Sequence, residues 1–363
     1  RKMETGKKIL QKGEKLRLES MYPYTYVRAN VMRTLLLGKS DYDKLLKMQF
    51  SEIARYLQDS QYKTEIDELA VQYSGVELVE MALTKNLVRT FNKLRKISPA
   101  PLVKMIDAYL MKYDFMNIKT IIRGVYTKSN KDKTKTLIVP AGIYSLGFYL
   151  DILKKETIEE VFKSVPFIDY SLMQKFVDAL KEKGELFELE NELDKYYYHS
   201  IIIFTSTLPS QEVLFREFLL SHIEMINILT IARMLKEGAG KNDIKERVFW
   251  TGIKEMDFQI KILLDSRSID AMCEKISNKH AKKIFTKSIE AYKQNNSLVE
   301  FERQMCKSLL QKAILFVHQH PLSIDTILGF MFAKEIEIQN LMKIVKGKAF
   351  GINEEFISSE LVM

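Results

Sequence analysis

Asp114-Phe115-Met116-Asn117-Ile118-Lys119-Thr120-Ile121-Ile122-Arg123 has two echoes later in the chain. One is Glu224-Met225-Ile226-Asn227-Ile228-Leu229-Thr230-Ile231-Ala232-Arg233. The other is Glu337-Ile338-Gln339-Asn340-Leu341-Met342-Lys343-Ile344-Val345-Lys346. Each copy reads acid, two residues, Asn, an aliphatic, two residues, Ile, one residue, base. Four offsets from the Asn are apolar every time: −2, +1, +4 and +5. Spacings of three and four draw one stripe along an amphipathic helix. The acid three positions before the Asn falls on a neighbouring part of the same face, where the two side chains can meet.

The surroundings repeat as well. Pro99 and Pro209 each stand 18 residues before their Asn, and Pro321 stands 19 before its own. An apolar run precedes each proline, at 87–97, 201–208 and 309–317. Proline ends a helix or opens the next one, so each unit reads as helix, break, helix. Further upstream each has a short amphipathic stretch: Phe50-Ile53-Leu57, Ile158-Val161-Phe162 and Ile269-Met272-Ile276. The Asn residues lie 110 and 113 positions apart. The expected division is a basic lead-in at 1–21 and helical repeats at 22–130, 138–240 and 245–363, the last including a C-terminal tail. Residues 128–135 and 237–243 read as polar links.

Composition agrees with an all-α chain. Only 14 of 363 residues are Gly and 7 are Pro, which leaves few tight turns for a sandwich or barrel. Hydrophobic residues make up 46% and charged residues 28%, a balance that excludes global disorder. The net charge is +9, which permits a nucleic acid, an anionic membrane surface or an acidic protein as partner. Part of that excess sits at 1–17, where seven bases face only Glu4 and Glu14. This stretch reads as a solvated helix, with a phosphate or headgroup contact as the alternative.

The chain opens on Arg1, and 1–18 lacks the apolar core of a signal peptide. The windows 137–150 and 313–333 are too short or too polar to span a bilayer, which takes about 20 mostly apolar residues. The reading is therefore a protein not integral to a membrane. Two cysteines, Cys273 and Cys306, point to a reducing compartment and to burial as small apolar residues.

No motif in the chain carries chemistry. His199, His222, His280, His318 and His320 have no partnering Cys or acid cluster, so no metal is expected. Gly238-Ala239-Gly240-Lys241 lacks the earlier Gly and the following Ser or Thr of a phosphate loop. It reads as a linker, and no nucleotide binding or cofactor is expected. Tyr196-Tyr197-Tyr198 runs into Ile201-Ile202-Ile203-Phe204, which suits helix packing better than base stacking. No catalytic residue is expected either. The nine candidate residues are those of the repeated motif: Asp114, Asn117, Arg123, Glu224, Asn227, Arg233, Glu337, Asn340 and Lys346. A buried Asn in a repeated helix most often bonds a backbone carbonyl or a cap.

Four stretches together resemble the C subunits of the archaeal and bacterial A/V-type rotary ATPases, a family that includes the d subunit of the V-ATPase. They are 26–36 (YVRANVMRTLL), 52–62 (EIARYLQDSQY), 114–124 and the tail 334–357. The family often has Arg after Asn-Leu, where this chain has Met342. The resemblance implies three similar helical units around a pseudo-threefold axis, forming a funnel. It implies a non-catalytic rotor subunit on the cytoplasmic face of the membrane. Its partners would be the D and F subunits of the central shaft and the membrane proteolipid ring (c/K), with no nucleic acid and no direct nucleotide binding. A basic helical scaffold for nucleic acid or an acidic protein is the other reading.

Overall fold

The computed structural model describes residues 22–208, 213–276, 290, 292–293, 297–319 and 324–363. The basic lead-in, Pro209, Pro321, His280 and His320 lie outside the described residues. Within them every regular element is a helix. The helices are α1 (Pro23–Arg33), α2 (Lys39–Lys47), α3 (Phe50–Gln58), α4 (Lys63–Leu69), α5 (Gly75–Lys96) and α6 (Ala100–Tyr126). Next come α7 (Lys131–Thr136), α8 (Leu146–Leu153), α9 (Ile158–Lys163), α10 (Tyr170–Lys183), α11 (Leu186–Thr207) and α12 (Val213–Lys236). The last are α13 (Lys241–Arg247), α14 (Lys254–Leu264), α15 (Ile269–Glu274), α16 (Leu298–Gln319), α17 (Ile324–Ala349) and α18 (Glu354–Glu360).

The three copies of the motif lie on α6, α12 and α17. The stripe residues of all three are buried: Phe115, Ile118, Ile121 and Ile122; Met225, Ile228, Ile231 and Ala232; Ile338, Leu341, Ile344 and Val345. Each motif helix ends in the same way. The residue eleven after the Asn is left-handed: Lys128 (φ 50°), Gly238 (φ 74°) and Gly351 (φ 67°). The next N–H then reaches back to the carbonyl five residues earlier, in Ser129 to Gly124 (2.9 Å), Ala239 to Met234 (2.9 Å) and Ile352 to Gly347 (2.8 Å). This closure satisfies carbonyls that the helix end would leave free. A short helix follows at once: α7, α13 or α18. Its N-cap residue is Asn130, Gly240 or Asn353. The polar links at 128–135 and 237–243 thus hold a helix end and a new helix start.

Packing is cyclic in the same sense. Helix α6 packs on α7, α8, α9 and, beyond them, α11. Helix α12 packs on α13, α14, α15 and α16. Helix α17 packs on α18, α3 and α5, and α18 packs on α2. The short stretches that the sequence places at the head of each unit therefore pack on the motif helix of the unit before. For Phe50-Ile53-Leu57 that helix is α17, at the far end of the chain. Packing crosses the boundaries drawn from periodicity because a helix pair buries its stripe against whatever is adjacent in space, not in sequence.

Among the described residues one segment, Phe215–Lys236, is long and apolar enough to cross a membrane by composition alone. It falls outside both 137–150 and 313–333. Half of it is buried inside the protein, and it makes up most of α12, one of the three core helices.

Candidate functional site

The motif asparagines do one job three times. Asn117 Nδ2 donates to the Val139 carbonyl (2.8 Å), and its Oδ1 accepts from the Val139 N–H (2.9 Å). Asn227 holds Phe249 in the same way, at 2.8 and 2.7 Å. Asn340 holds Val362, at 2.8 and 3.0 Å. In every case the partner lies 22 positions on, in the residues after the short helix. A primary amide suits the task because it presents one donor and one acceptor side by side. All three side chains are buried, where leaving those backbone groups unpaired is costly.

Asp114 and Glu337 bond groups other than their asparagines, contrary to the simplest reading of the helix face. Asp114 accepts from the N–H groups of Ile143 (2.9 Å) and Tyr144 (3.3 Å) and from the Tyr149 hydroxyl. Burial pushes its carboxyl up, and these hydrogen bonds oppose the rise. Glu337 accepts from the Leu37 N–H (2.5 Å), Gln61 Nε2 (3.0 Å), Lys334 Nζ (2.8 Å) and the Tyr62 hydroxyl. The correspondence is close. Ser145 and Gly38 are the N-caps of α8 and α2, and the fourth residue after each is a buried tyrosine. Tyr149 donates to Asp114 and lies near Asn117; Tyr42 lies in the field of Glu337 and near Asn340. The first copy and the last thus make the same clasp, although in the last the clasped segment comes from the start of the chain.

The second copy departs from this. Its equivalent tyrosine position is Asp257, which caps Thr251 N–H (2.8 Å) and Gly252 N–H (2.9 Å). Glu224 is only half-buried and borders a small pocket with Asn227, Met256, Gln259 and Leu263.

The motif bases also repeat a task. Arg123 pairs with Glu190 on α11, Arg233 with Glu302 on α16 and Lys346 with Glu80 on α5 (3.1 Å). Each acid lies in the first two turns of the neighbouring long helix. The bases are more than half exposed, at 57%, 52% and 54%, so each pair orients neighbours more than it stabilises them.

The motif helices touch one another ahead of their asparagines. Tyr109 of α6, Phe218 of α12 and Phe332 of α17 form a chain of ring contacts, with centroids 6.4 and 5.6 Å apart. Five residues before each Asn stand Lys112, His222 and Glu335. Lys112 Nζ bonds Glu335 Oε2 at 2.6 Å, and the hydroxyls of Tyr109 (2.6 Å) and Tyr113 (2.8 Å) complete the carboxylate's shell. His222 is pushed down to about 3, chiefly by burial and then by the charge of Lys112. It is therefore neutral beside the ion pair. Three equivalent positions hold a cation, a neutral ring and an anion. The signal was present at one fixed offset from each Asn, but three different residue types hid it.

A second polar cluster closes the molecule. Lys334, fully buried, donates to Glu337 Oε1 and to the Tyr62 hydroxyl (2.9 Å). Burial pulls its ammonium down, and Glu337 opposes that. In the tyrosine run, Tyr197 packs on Phe115 and Tyr198 on Phe249. Cys273 is buried and Cys306 half-buried. Lys241 ion-pairs Asp265, and His199 is exposed. Among the described residues no group of His, Cys, Asp and Glu is placed to hold a metal.

Thrice-repeated clasps around three mutually contacting helices define a helical-repeat body whose polar groups are engaged in holding it together. The chain matches the family ATP synthase (C/AC39) subunit over residues 25–360, and it belongs to that family. It is 33% identical over 356 residues to the C subunit of the A-type ATP synthase of Methanococcoides burtonii, covering 95% of each chain. With the protein of that name from Methanosarcina acetivorans the identity is 32% over 365 residues, covering 99% of this chain and 98% of the other. For Halobacterium salinarum it is 30% over 347 residues, covering 94% and 97%.

Proposed function

We propose that this chain is the C subunit in the central stalk of an A/V-type rotary ATPase. It sits at the cytoplasmic face of the membrane, joins the D and F subunits of the shaft to the proteolipid ring and transmits torque between them without catalysing anything itself. The three clasped units would stand around a pseudo-threefold axis and form a funnel that receives the shaft. Family membership supports the assignment to the complex. The observation that carries the mechanical reading is the interlock of α6, α12 and α17 through Lys112, Glu335, Tyr109, Phe218 and Phe332. A coupler must hold two partners and resist twisting. A close-packed interior transmits strain where a flexible tether would absorb it.

The test uses Ile121→Asp in reconstituted complexes. Ile121 is fully buried, and an unpaired carboxylate there costs several kcal/mol. The expected result is that the catalytic head still hydrolyses ATP while ion pumping falls. Loss of hydrolysis in the detached head itself would mean that this chain takes part in the chemistry, and the coupling proposal would fail.

A further inference from the structure

The two residues before the N-cap of α8, Ile143 and Tyr144, give their N–H groups to Asp114 of α6. In the last copy Leu37, just before the N-cap of α2, gives its N–H to Glu337 of α17. In the second copy the matching residues are Thr251 and Gly252, ahead of Ile253, the N-cap of α14. Their N–H groups go to Asp257, on α14 itself. One exchange of residue accounts for the difference. Asp257 stands four positions after the N-cap, where the other copies have Tyr149 and Tyr42. Tyr149 donates to the acid of the motif helix; an aspartate in its place takes up the donors of its own segment.

The consequence is mechanical. Donors spent across an interface tie two helices together, whereas donors spent within one segment tie it to nothing else. Segment 139–144 is tied to α6 through both Asn117 and Asp114, and Arg95 of α5 grips its Ala141 and Gly142 carbonyls (3.2 and 2.7 Å). Segment 249–253 is tied to α12 through Asn227, at Phe249. After that anchor comes Gly252, left-handed (φ 71°) and with open space where a Cβ would stand. Such a residue absorbs a rotation at little cost. Helices α14 and α15 are fastened to each other: Gln259 Nε2 donates to the Lys275 carbonyl (3.2 Å), and Lys275 Nζ to the Asp265 carbonyl (2.8 Å). Between α14 and α12 lies the small pocket bordered by Glu224, half-buried where Asp114 and Glu337 are buried.

We propose that α14 and α15 swing as one flap about the segment between Phe249 and Ile253, while α8 and α2 stay shut against α6 and α17. Of three equivalent joints one yields, and a load on the body is taken up there. Opening widens the pocket and bares Ile260 and Leu263, both buried while the flap is closed. The inference does not rest on the rotary reading.

Amide hydrogen exchange of the folded full chain, read peptide by peptide and corrected for intrinsic rates, tests this. Residues 254–264 should exchange at least about tenfold faster than 146–153, because one net hydrogen bond alone changes an opening equilibrium by about that factor. Asp114→Asn should bring 146–153 to within about threefold of 254–264, since it weakens the clasp that shuts α8, and should leave 254–264 unchanged. Tyr149→Phe removes one bond of the same clasp and no charge. It should move 146–153 in the same direction by less, and it decides the matter if Asp114→Asn does not fold. Exchange of 254–264 no faster than that of 146–153 in the wild type overturns the proposal. So does a segment 146–153 that is indifferent to the substitutions at Asp114 and Tyr149.

Discussion

Glu337 accepts a 2.5 Å hydrogen bond from the backbone N–H of Leu37, three hundred positions earlier in the chain. The same carboxylate balances Lys334, which has no exposure to solvent. Glu337→Gln keeps the shape and removes the charge. The buried ammonium is then left without its counter-ion, at an expected cost of about 3–5 kcal/mol. Urea denaturation measures it. Adding Lys334→Met should restore most of the loss, because the second substitution removes the orphaned charge; a further loss of similar size would mean that the two residues act independently.

The three asparagine clasps make a matched set. Asn→Ala at 117, 227 or 340 strands one buried N–H and one buried carbonyl. A loss of about 2–4 kcal/mol is expected at each. Thermal midpoints of the three single variants should agree closely. A negligible effect at any one of them would remove that position from the set.

Gly142 and Gly147 should respond oppositely to alanine. A methyl group on Gly142 would collide with the Asp114 carboxylate and force it off Ile143 and Tyr149. We expect a loss of about 2–3 kcal/mol, the cost of disrupting a buried hydrogen-bonded carboxylate. At Gly147, inside α8, the nearest atom is at an ordinary 3.7 Å. Alanine there should be neutral or stabilising by up to about 1 kcal/mol through helix propensity. Chemical denaturation of the pair checks both signs.

Acid should act through His222. Its folded pKa is pushed down to about 3 from 6.5. Between those values the unfolded chain takes up a proton that the folded chain refuses. Stability therefore falls as pH drops through that window and is regained above it. His222→Gln should flatten the dependence across the same window, from 6.5 downward. Asp114, whose carboxyl is raised by burial, works in the opposite sense near its own range, so the wild-type profile is the sum of both. Urea midpoints that shift in parallel for wild type and variant would show that His222 is not the group responsible.

The Arg123–Glu190 and Arg233–Glu302 pairs should matter little by themselves. Both bases are more than half exposed. Arg123→Met and Arg233→Met are therefore each expected to cost under about 1 kcal/mol. A double-mutant cycle on either pair gives the coupling directly.

The three motif helices were legible because burial imposes a 3.6-residue period that survives drift in residue type. Ile122, Ala232 and Val345 differ in kind and agree in phase. The clasp targets were not legible. Val139, Phe249 and Val362 are held through their backbones, and a backbone bond leaves no mark on side-chain identity. The Lys112–His222–Glu335 meeting was hidden for the opposite reason: its positions repeat but their chemistry alternates. The short stretch Phe50-Ile53-Leu57 falls within 22–130 by chain order. It also packs on α17, and no periodicity within one chain segment reports such a distant neighbour.

A ribosome makes this chain from one end, at roughly 5–20 residues per second. The clasps of Asn117 and Asn227 each close once a further 22 residues have emerged. The segment around Leu37, Tyr42 and Tyr62 must wait for Glu337, an interval of roughly 15–60 seconds at that pace. Through that interval Ile53, Leu57 and Tyr62, all fully buried in the finished protein, lack the helix that covers them. A stretch made some 300 positions ahead of its cover is thus sheltered late. It is the stretch that a holding chaperone has the longest opportunity to meet.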